Sequence, residues 1–134
     1  MRVSHVVWEG VNASIEDVVS WPDCLQHLSF LEPVNLPLDS MRWPSALRKL
    51  TLYDGFNQPI EGVEFPSTLE SISLGDQFDC SVEGVAWPRG LTYLSLGDAF
   101  NHPIEGMVLP DGLKKLLWGS AFNQVWYLYL VLVP

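Results

Sequence analysis

Histidines, cysteines and carboxylates are the side chains of this 134-residue chain that could support chemistry. His5 and His27 are separated by one 22-residue interval, and His102 is separate from both. None of the three lies in an HExxH motif or in a nucleophile–base set. Two histidines alone lack the third protein ligand of a zinc site. The sequence therefore predicts no enzyme, no resident metal and no cofactor.

The acidic residues form two rows, and each row advances by the same 22-residue interval. The rows are Glu61, Glu83 and Glu105, preceded by Asp39, and Asp54, Asp76 and Asp98. Carboxylates that catalyse hydrolysis work as a pair in a cleft, whereas these rows are expected on an outer surface. Like charges about 5 Å apart repel by ~1 kcal/mol in water. We interpret the rows as a solvated, solubilising edge; the alternative is a site for a cation or a Lys/Arg-rich partner.

The same spacing governs most of the chain. A proline recurs with a 22-residue period and is followed by apolar residues three, six and eight positions later. The prolines are Pro22, Pro44, Pro66, Pro88 and Pro110. A fixed period of this size is typical of a solenoid, in which each repeat is one coil stacked on the next.

Each repeat contains a segment in which apolar and polar residues alternate, as in a strand with one buried face. Glycine–aspartate pairs, a later glycine and the proline supply three corners, which leaves no room for a long helix. We predict a mainly β, parallel solenoid of five to six 22-residue coils with little or no α-helix. Parallel, in-register strands with buried Leu50, Ile72 and Leu94 are expected at about 27–30, 49–52, 71–74, 93–96 and 115–118.

One corner of the repeat resembles a known family. Phe56–Gly62 reads FNQPIEG and Phe100–Gly106 reads FNHPIEG, which resemble the FNIP repeat, a relative of the leucine-rich repeat. Phe78–Gly84 is a looser copy, Phe122–Gln124 begins one, and Val34–Asn35 keeps only the asparagine. The resemblance implies a leucine-rich-repeat-like solenoid used as an interaction module. It does not name a partner, because repeat families reuse one scaffold for many partners.

Two further rows follow the period. The asparagine row is expected to be buried and hydrogen-bonded to backbone groups of its own and the next coil. It comprises Asn35, Asn57, Asn101 and Asn123, with Asp79 in the remaining place. The aromatic row beside the proline is expected to stack in the core or to form a ridge. It comprises Trp21, Trp43, Phe65 and Trp87.

Composition narrows the class of partner and the compartment. The net charge is −9, from 16 acidic and 7 basic residues, which disfavours nucleic acids and anionic lipids as partners. Glu9, Glu16 and Asp17 interrupt any secretory signal, so an intracellular, by default cytoplasmic, setting is expected, with organelle association open.

The two cysteines, Cys24 and Cys80, would lie about 12 Å apart along the axis of the solenoid, beyond disulfide reach. Both are expected to be free, small, buried or half-buried thiols.

We predict a single domain over residues 1–134. Residues 1–21 would form a degenerate first coil that caps the core, and residues 22–124 the regular coils. Residues 125–134 are apolar or aromatic and carry no charge, but they are far fewer than the ~20 residues of a membrane-spanning helix. As a strand, this end would cover the last coil with one face and expose the other, a feature typical of partner surfaces.

We therefore hypothesise a non-enzymatic protein-interaction or assembly subunit. It is expected to bind its partner at two sites. The first is the outward column of the strands, formed by His27, Lys49, Ser71, Tyr93 and Lys115. The second is the apolar end, formed by Trp126, Tyr127, Leu128, Tyr129 and Leu130. The alternative is a peripheral subunit docked on a membrane protein complex, and a third hypothesis is an acidic cation-binding scaffold. None of these involves nucleic acid or a membrane span of the chain itself.

Overall fold

The structure, a computed structural model, describes residues 3–8, 21–33 and 37–123. Six short strands make up its regular structure: β1 (His5–Trp8), β2 (His27–Phe30), β3 (Lys49–Thr51), β4 (Ser71–Ser73), β5 (Tyr93–Ser95) and β6 (Lys115–Leu117). Within these described ranges, the helical structure is a single 3₁₀ turn at Leu38–Ser40. No helix in the described part of the chain is long and apolar enough to cross a membrane.

The six strands form one parallel sheet in the order of the chain. Residues of neighbouring strands pair at a constant offset, as in Leu50 with Ile72 and Ile72 with Leu94. The predicted parallel β-solenoid is therefore confirmed, and each of the five predicted strands begins at the predicted residue. The solenoid makes about four turns, while most of the predicted first coil, residues 9–20, lies outside the described residues.

The coils after β3 and β4 each turn three corners, and a backbone hydrogen bond from residue i+3 to residue i closes each of these corners. In the coil after β3 these bonds are Phe56 N–H to Tyr53 O (3.0 Å), Val63 N–H to Ile60 O (3.2 Å) and Leu69 N–H to Pro66 O (3.1 Å). Gly62 and Gly84 occupy the middle corner with φ of +79° and +74°, a conformation that costs glycine little. The three predicted corners are thus present, and they bring every strand back to the same face.

The core is a set of apolar ladders inside the coils. Leu50, Ile72 and Leu94 are each 0% exposed, as predicted. The phenylalanines of the repeat motif also point inward: Phe56, Phe78 and Phe100 stack with ring centroids 6.0 and 6.2 Å apart and planes within 6°. Burial of a large apolar side chain contributes about 1.5–3 kcal/mol, so these ladders are the main source of stability.

Glycine sets the coil spacing at the ends of β4 and β5. A Cβ on Gly75 would overlap the carbonyl oxygen of Tyr53 in the preceding coil, and one on Gly97 would overlap the carbonyl of Gly75. Gly97 also has φ of +84°. Backbone therefore packs on backbone at this corner.

The aromatic row stacks along the proline corner, as predicted. Phe65 lies 6.1 Å from Trp43, tilted by 30°, and 6.2 Å from Trp87, with planes within 5°. Trp87 is 8% exposed, whereas Trp43 and Phe65 are half-buried against the core. The indole Nε1 atoms of Trp43 and Trp87 are buried and have no hydrogen-bond partner. An orphaned donor of this kind costs about 1–3 kcal/mol.

Candidate functional site

The outward side of the sheet carries two straight rows of side chains, which together we call the strand face. Strand residues alternate between core and surface, and the in-register pairing aligns the surface positions of all six strands. The first row is His5, His27, Lys49, Ser71, Tyr93 and Lys115. The second row is Val7, Ser29, Thr51, Ser73, Ser95 and Leu117. The structure thus brings the five predicted strand-face residues into one row.

The strand face contains no carboxylate, although the chain carries 16 acidic residues and a net charge of −9. Lys49 and Lys115 are exposed on this face. Carboxylates lie instead at the corners, where Asp54, Asp76 and Glu61 are exposed. Charge is therefore segregated around the coil. Sequence reasoning missed this pattern, which emerges when charges are counted row by row.

Tyr93 and Lys115 contact each other at one end of the first row. The Lys115 Nζ lies 5.8 Å from the centre of the Tyr93 ring, within the range of a cation–π interaction. At an exposed site such a contact contributes about 0.5–1 kcal/mol, enough to favour one arrangement of the pair. The result is a half-buried aromatic ring with a cation beside it, a combination suited to contact with another protein.

His5 and His27 contact each other at the opposite end of the row. Their Nδ1 atoms are 3.3 Å apart, and their rings meet edge to face, with centroids 5.4 Å apart and planes at 86°. His27 is half-buried and His5 is exposed. The 22-residue interval between these two histidines is one coil, which places them side by side on β1 and β2.

A third row, one residue before each strand, flanks the strand face and was missed by sequence reasoning. Arg48 and Glu70 form an ion pair with a closest approach of 2.7 Å, and both guanidinium Nη2 and Nε donate to the carboxylate. Their side chains are 52% and 46% exposed, so the pair adds little stability. Because Arg48 and Glu70 are 22 residues apart, the repeat alone could have predicted that these opposite charges are neighbours. The pair neutralises Glu70, the carboxylate that borders the strand face.

The asparagine row is hydrogen-bonded to backbone as predicted, but the predicted burial is wrong. Asn57 is exposed and Asn101 is half-buried. The Asn57 Oδ1 accepts from Asp79 N–H at 2.9 Å, Asp79 Oδ1 accepts from Asn101 N–H at 3.0 Å, and Asn101 Oδ1 accepts from Asn123 N–H at 3.2 Å. This ladder follows the outer rim of the corner, where water reaches the side chains. Asn35 lies outside the described residues.

The glutamate row lies on the outer surface, as expected. Glu61, Glu83 and Glu105 are exposed. The Glu83 side chain lies over Gly106 of the next coil, where a Cβ would come within 2.8 Å of its Cγ. Asp39, in the 3₁₀ turn, accepts a hydrogen bond from Ser40 Oγ at 3.3 Å. In the described part of the chain, no group of three or more metal-ligating side chains comes together.

Cys24 and Cys80 are both free and half-buried, as predicted. The Cys80 thiol donates to Asn57 Oδ1 at 3.2 Å, and the Cys24 thiol donates to the Val3 carbonyl at 3.3 Å. Burial, and secondarily the nearby charge of Asp79, raise the pKa of the Cys80 thiol. A raised pKa lowers the thiolate fraction, so Cys80 is poorly suited to act as a nucleophile.

The second predicted contact segment, Trp126–Leu130, lies outside the described residues. The described chain ends at Asn123, whose backbone N–H completes the ladder from Asn101. The segment therefore begins within a few residues of the last described corner.

Six parallel strands and three-cornered coils at a constant offset define a leucine-rich-repeat-like β-solenoid. The family model named FNIP Repeat matches residues 31–77, 56–99 and 83–120, and the chain belongs to this family. The chain is similar to the crystal structure of CroV588, described as a novel circular LRR protein, with a TM-score of 0.74 and 34% sequence identity. That alignment covers 90% of this chain and 18% of CroV588, so the chain spans under a fifth of its neighbour's length. A search of the curated proteins finds no match.

Proposed function

We propose that this chain is a non-enzymatic interaction module whose strand face binds a protein partner. The observation that carries the proposal is the absence of carboxylates from the strand face of a chain with a net charge of −9. Membership of the FNIP repeat family and the leucine-rich-repeat-like fold support a role in protein interaction. Repeat scaffolds of this kind bind partners along the surface formed by their stacked units.

The dimensions and chemistry of the strand face favour an extended, acidic segment of the partner. Six strands at a spacing of ~4.8 Å span about 24 Å, the length of roughly seven extended residues. Lys49 and Lys115 attract carboxylates, and the Tyr93 ring provides an apolar anchor between them. The small hydroxyl side chains of the second row allow a backbone to approach closely.

The apolar end, Trp126–Leu130, is proposed as a second contact with the same partner. Trp and Tyr are favoured anchors at protein interfaces, and the run carries no charge. If the captured partner is a subunit of a membrane complex, the chain is a peripheral subunit of that complex. The free thiols of Cys24 and Cys80 support an intracellular, reducing setting.

The experiment compares partners captured from the native source by three forms of the full chain: wild type, Lys49→Glu/Lys115→Glu and Arg42→Glu/Arg89→Glu. Both double variants change the net charge by −4, but Arg42 and Arg89 are exposed outside the strand face. We expect a protein bound by the wild type and the control to be lost from the strand-face variant. Recovery of the same proteins by all three forms contradicts the proposal.

A further inference from the structure

We propose that His5 and His27 form a binding site for a divalent metal ion with tetrahedral coordination, of which Zn²⁺ is the representative. The two Nδ1 atoms lie 3.3 Å apart on adjacent strands. No protein partner is needed for this site, so the inference is independent of the proposed function.

The separation of the two nitrogens matches zinc coordination. Zn–N bonds of about 2.0–2.1 Å at a tetrahedral angle place two ligand nitrogens about 3.3–3.4 Å apart. A hydrogen bond between the two Nδ1 atoms requires one ring to carry its proton on Nδ1. The metal replaces that hydrogen bond and lies off the line between the two nitrogens. The proton of the donating ring moves from Nδ1 to Nε2, so two neutral rings bind the metal without net loss of a proton.

The backbone holds the two histidines in place before any metal binds. The N–H groups of Gln26 and His27 both donate to the Ser4 carbonyl, at 3.0 and 2.9 Å, which locks the start of β2 against β1. Because the strands are in register, His5 and His27 are direct cross-strand neighbours. The backbone of the site is therefore ordered before the metal binds, which lowers the entropic cost of binding.

The remaining coordination positions face solvent. His5 is exposed, and the described residues supply no third ligand in the same cluster. Water would therefore complete the coordination, leaving positions open to an anion or to a side chain of another protein. Lys49 is the cross-strand neighbour of His27 on the side away from His5, and its positive charge opposes a bound cation.

His102 provides a matched control. It is half-buried, and its Nε2 already bonds the Asp79 carbonyl at 2.9 Å and lies 3.4 Å from the Asp79 carboxylate. It lies beyond the corner that follows β5, in a separate row and several coils from β1 and β2, so it cannot reach the His5–His27 pair. Replacing it by glutamine removes an imidazole from the chain without touching the proposed site.

The experiment titrates the metal-free full chain with Zn²⁺ by calorimetry and records the visible absorption of Co²⁺, which is intense only in tetrahedral coordination. We expect one site in the wild type and in His102→Gln, and a loss of affinity of more than about tenfold in His5→Gln and in His27→Gln. Zn²⁺ should also raise the Tm of the wild type, because the ion binds the folded chain. Unfolding in urea without metal checks that each variant is folded.

A gain-of-affinity variant tests the site in a second way. Lys49→Glu replaces a repelling charge beside His27 with an attracting carboxylate and should strengthen Zn²⁺ binding severalfold. No binding by the wild type up to about 1 mM Zn²⁺ overturns the proposal. Equal affinity of His5→Gln and the wild type, or octahedral Co²⁺ spectra in the wild type, also overturns it.

Discussion

The side-chain oxygen of Asn57 accepts a hydrogen bond from the backbone N–H of Asp79, one coil further along the chain, across 2.9 Å. The same relationship joins Asp79 to Asn101 at 3.0 Å. In both bonds the acceptor is a side-chain oxygen, a group that aspartate and asparagine share, which explains how Asp79 fits in a row of asparagines. The bond links consecutive coils at a corner where the strands do not.

We expect Asn57→Leu to lower the free energy of unfolding by about 0.5–1.5 kcal/mol, measured in urea. The variant leaves the Asp79 N–H without its acceptor, but the site is exposed and water can replace the bond. Asn57→Asp keeps the oxygen and should remain within about 0.5 kcal/mol of the wild type. Equal losses of stability in Asn57→Leu and Asn57→Asp would show that the side-chain oxygen does not contribute to stability as a hydrogen-bond acceptor.

Trp87→Phe should leave stability within about 1 kcal/mol of the wild type. The change removes the buried Nε1–H that has no partner, which offsets the smaller apolar area of phenylalanine. Phe65, stacked on Trp87 within 5°, already occupies the equivalent place one coil earlier. Trp87→Ala is the control and should cost about 3–5 kcal/mol. A loss above about 2 kcal/mol in Trp87→Phe would mean that the indole N–H has an acceptor in solution.

Gly75→Ala should destabilise the chain strongly, because the added methyl overlaps the Tyr53 carbonyl oxygen. Backbone cannot yield as a side chain does, so the expected loss is at least about 3 kcal/mol. Gly112→Ala is the matched control, since nothing lies within 4 Å of its added Cβ. It should be neutral or stabilising by up to about 1 kcal/mol. Thermal unfolding of both variants measures the difference, and similar Tm values would contradict the close approach.

Cys80 should react with iodoacetamide at a higher pH in the folded chain than in urea, measured in a Cys24→Ser background. Its pKa is raised by burial and then by Asp79, so Asp79→Asn should lower the midpoint part of the way. A raised pKa in the folded state stabilises the fold below the ordinary thiol pKa of about 8.5. That contribution is lost as the pH rises through the folded pKa. Identical folded and unfolded midpoints would contradict the burial.

Deletion of Val125–Pro134 should abolish association with the native partner while the coils remain folded. The segment is apolar and uncharged, which suits a desolvated contact. Circular dichroism and urea unfolding of the truncated chain establish its folded state, and co-purification measures association. Undiminished recovery of the partner by a folded truncated chain would leave the strand face as the proposed contact.

The strands were predictable because the repeat supplies both their position and their register. Leu50, Ile72 and Leu94 recur at the same place in each repeat, and stacking identical coils can align them in only one way. The His5–His27 contact follows from that register alone. A chain with one strong period therefore reveals which residues are neighbours.

The depth of each row was less predictable. The period says that Asn57 lies beside Asp79, but it does not say how far their corner lies from the axis of the coil. The expected burial of Asn57 was wrong for this reason. The orphaned Nε1 of Trp43 and the bidentate form of the Arg48–Glu70 pair depend on side-chain rotamers, about which a repeat pattern carries no information.

The contact of Gly97 with the Gly75 carbonyl bears on how such a chain lengthens in evolution. Tandem copying of residues 67–88 places a second Gly75 behind the first and reproduces a junction that the chain already contains. The described strands touch only their immediate neighbours, so the new coil disturbs nothing beyond its two junctions. An insertion one residue shorter turns the core side chains of the next strand outward. Duplication is therefore constrained to steps of one whole coil, and each step adds one more strand to the strand face.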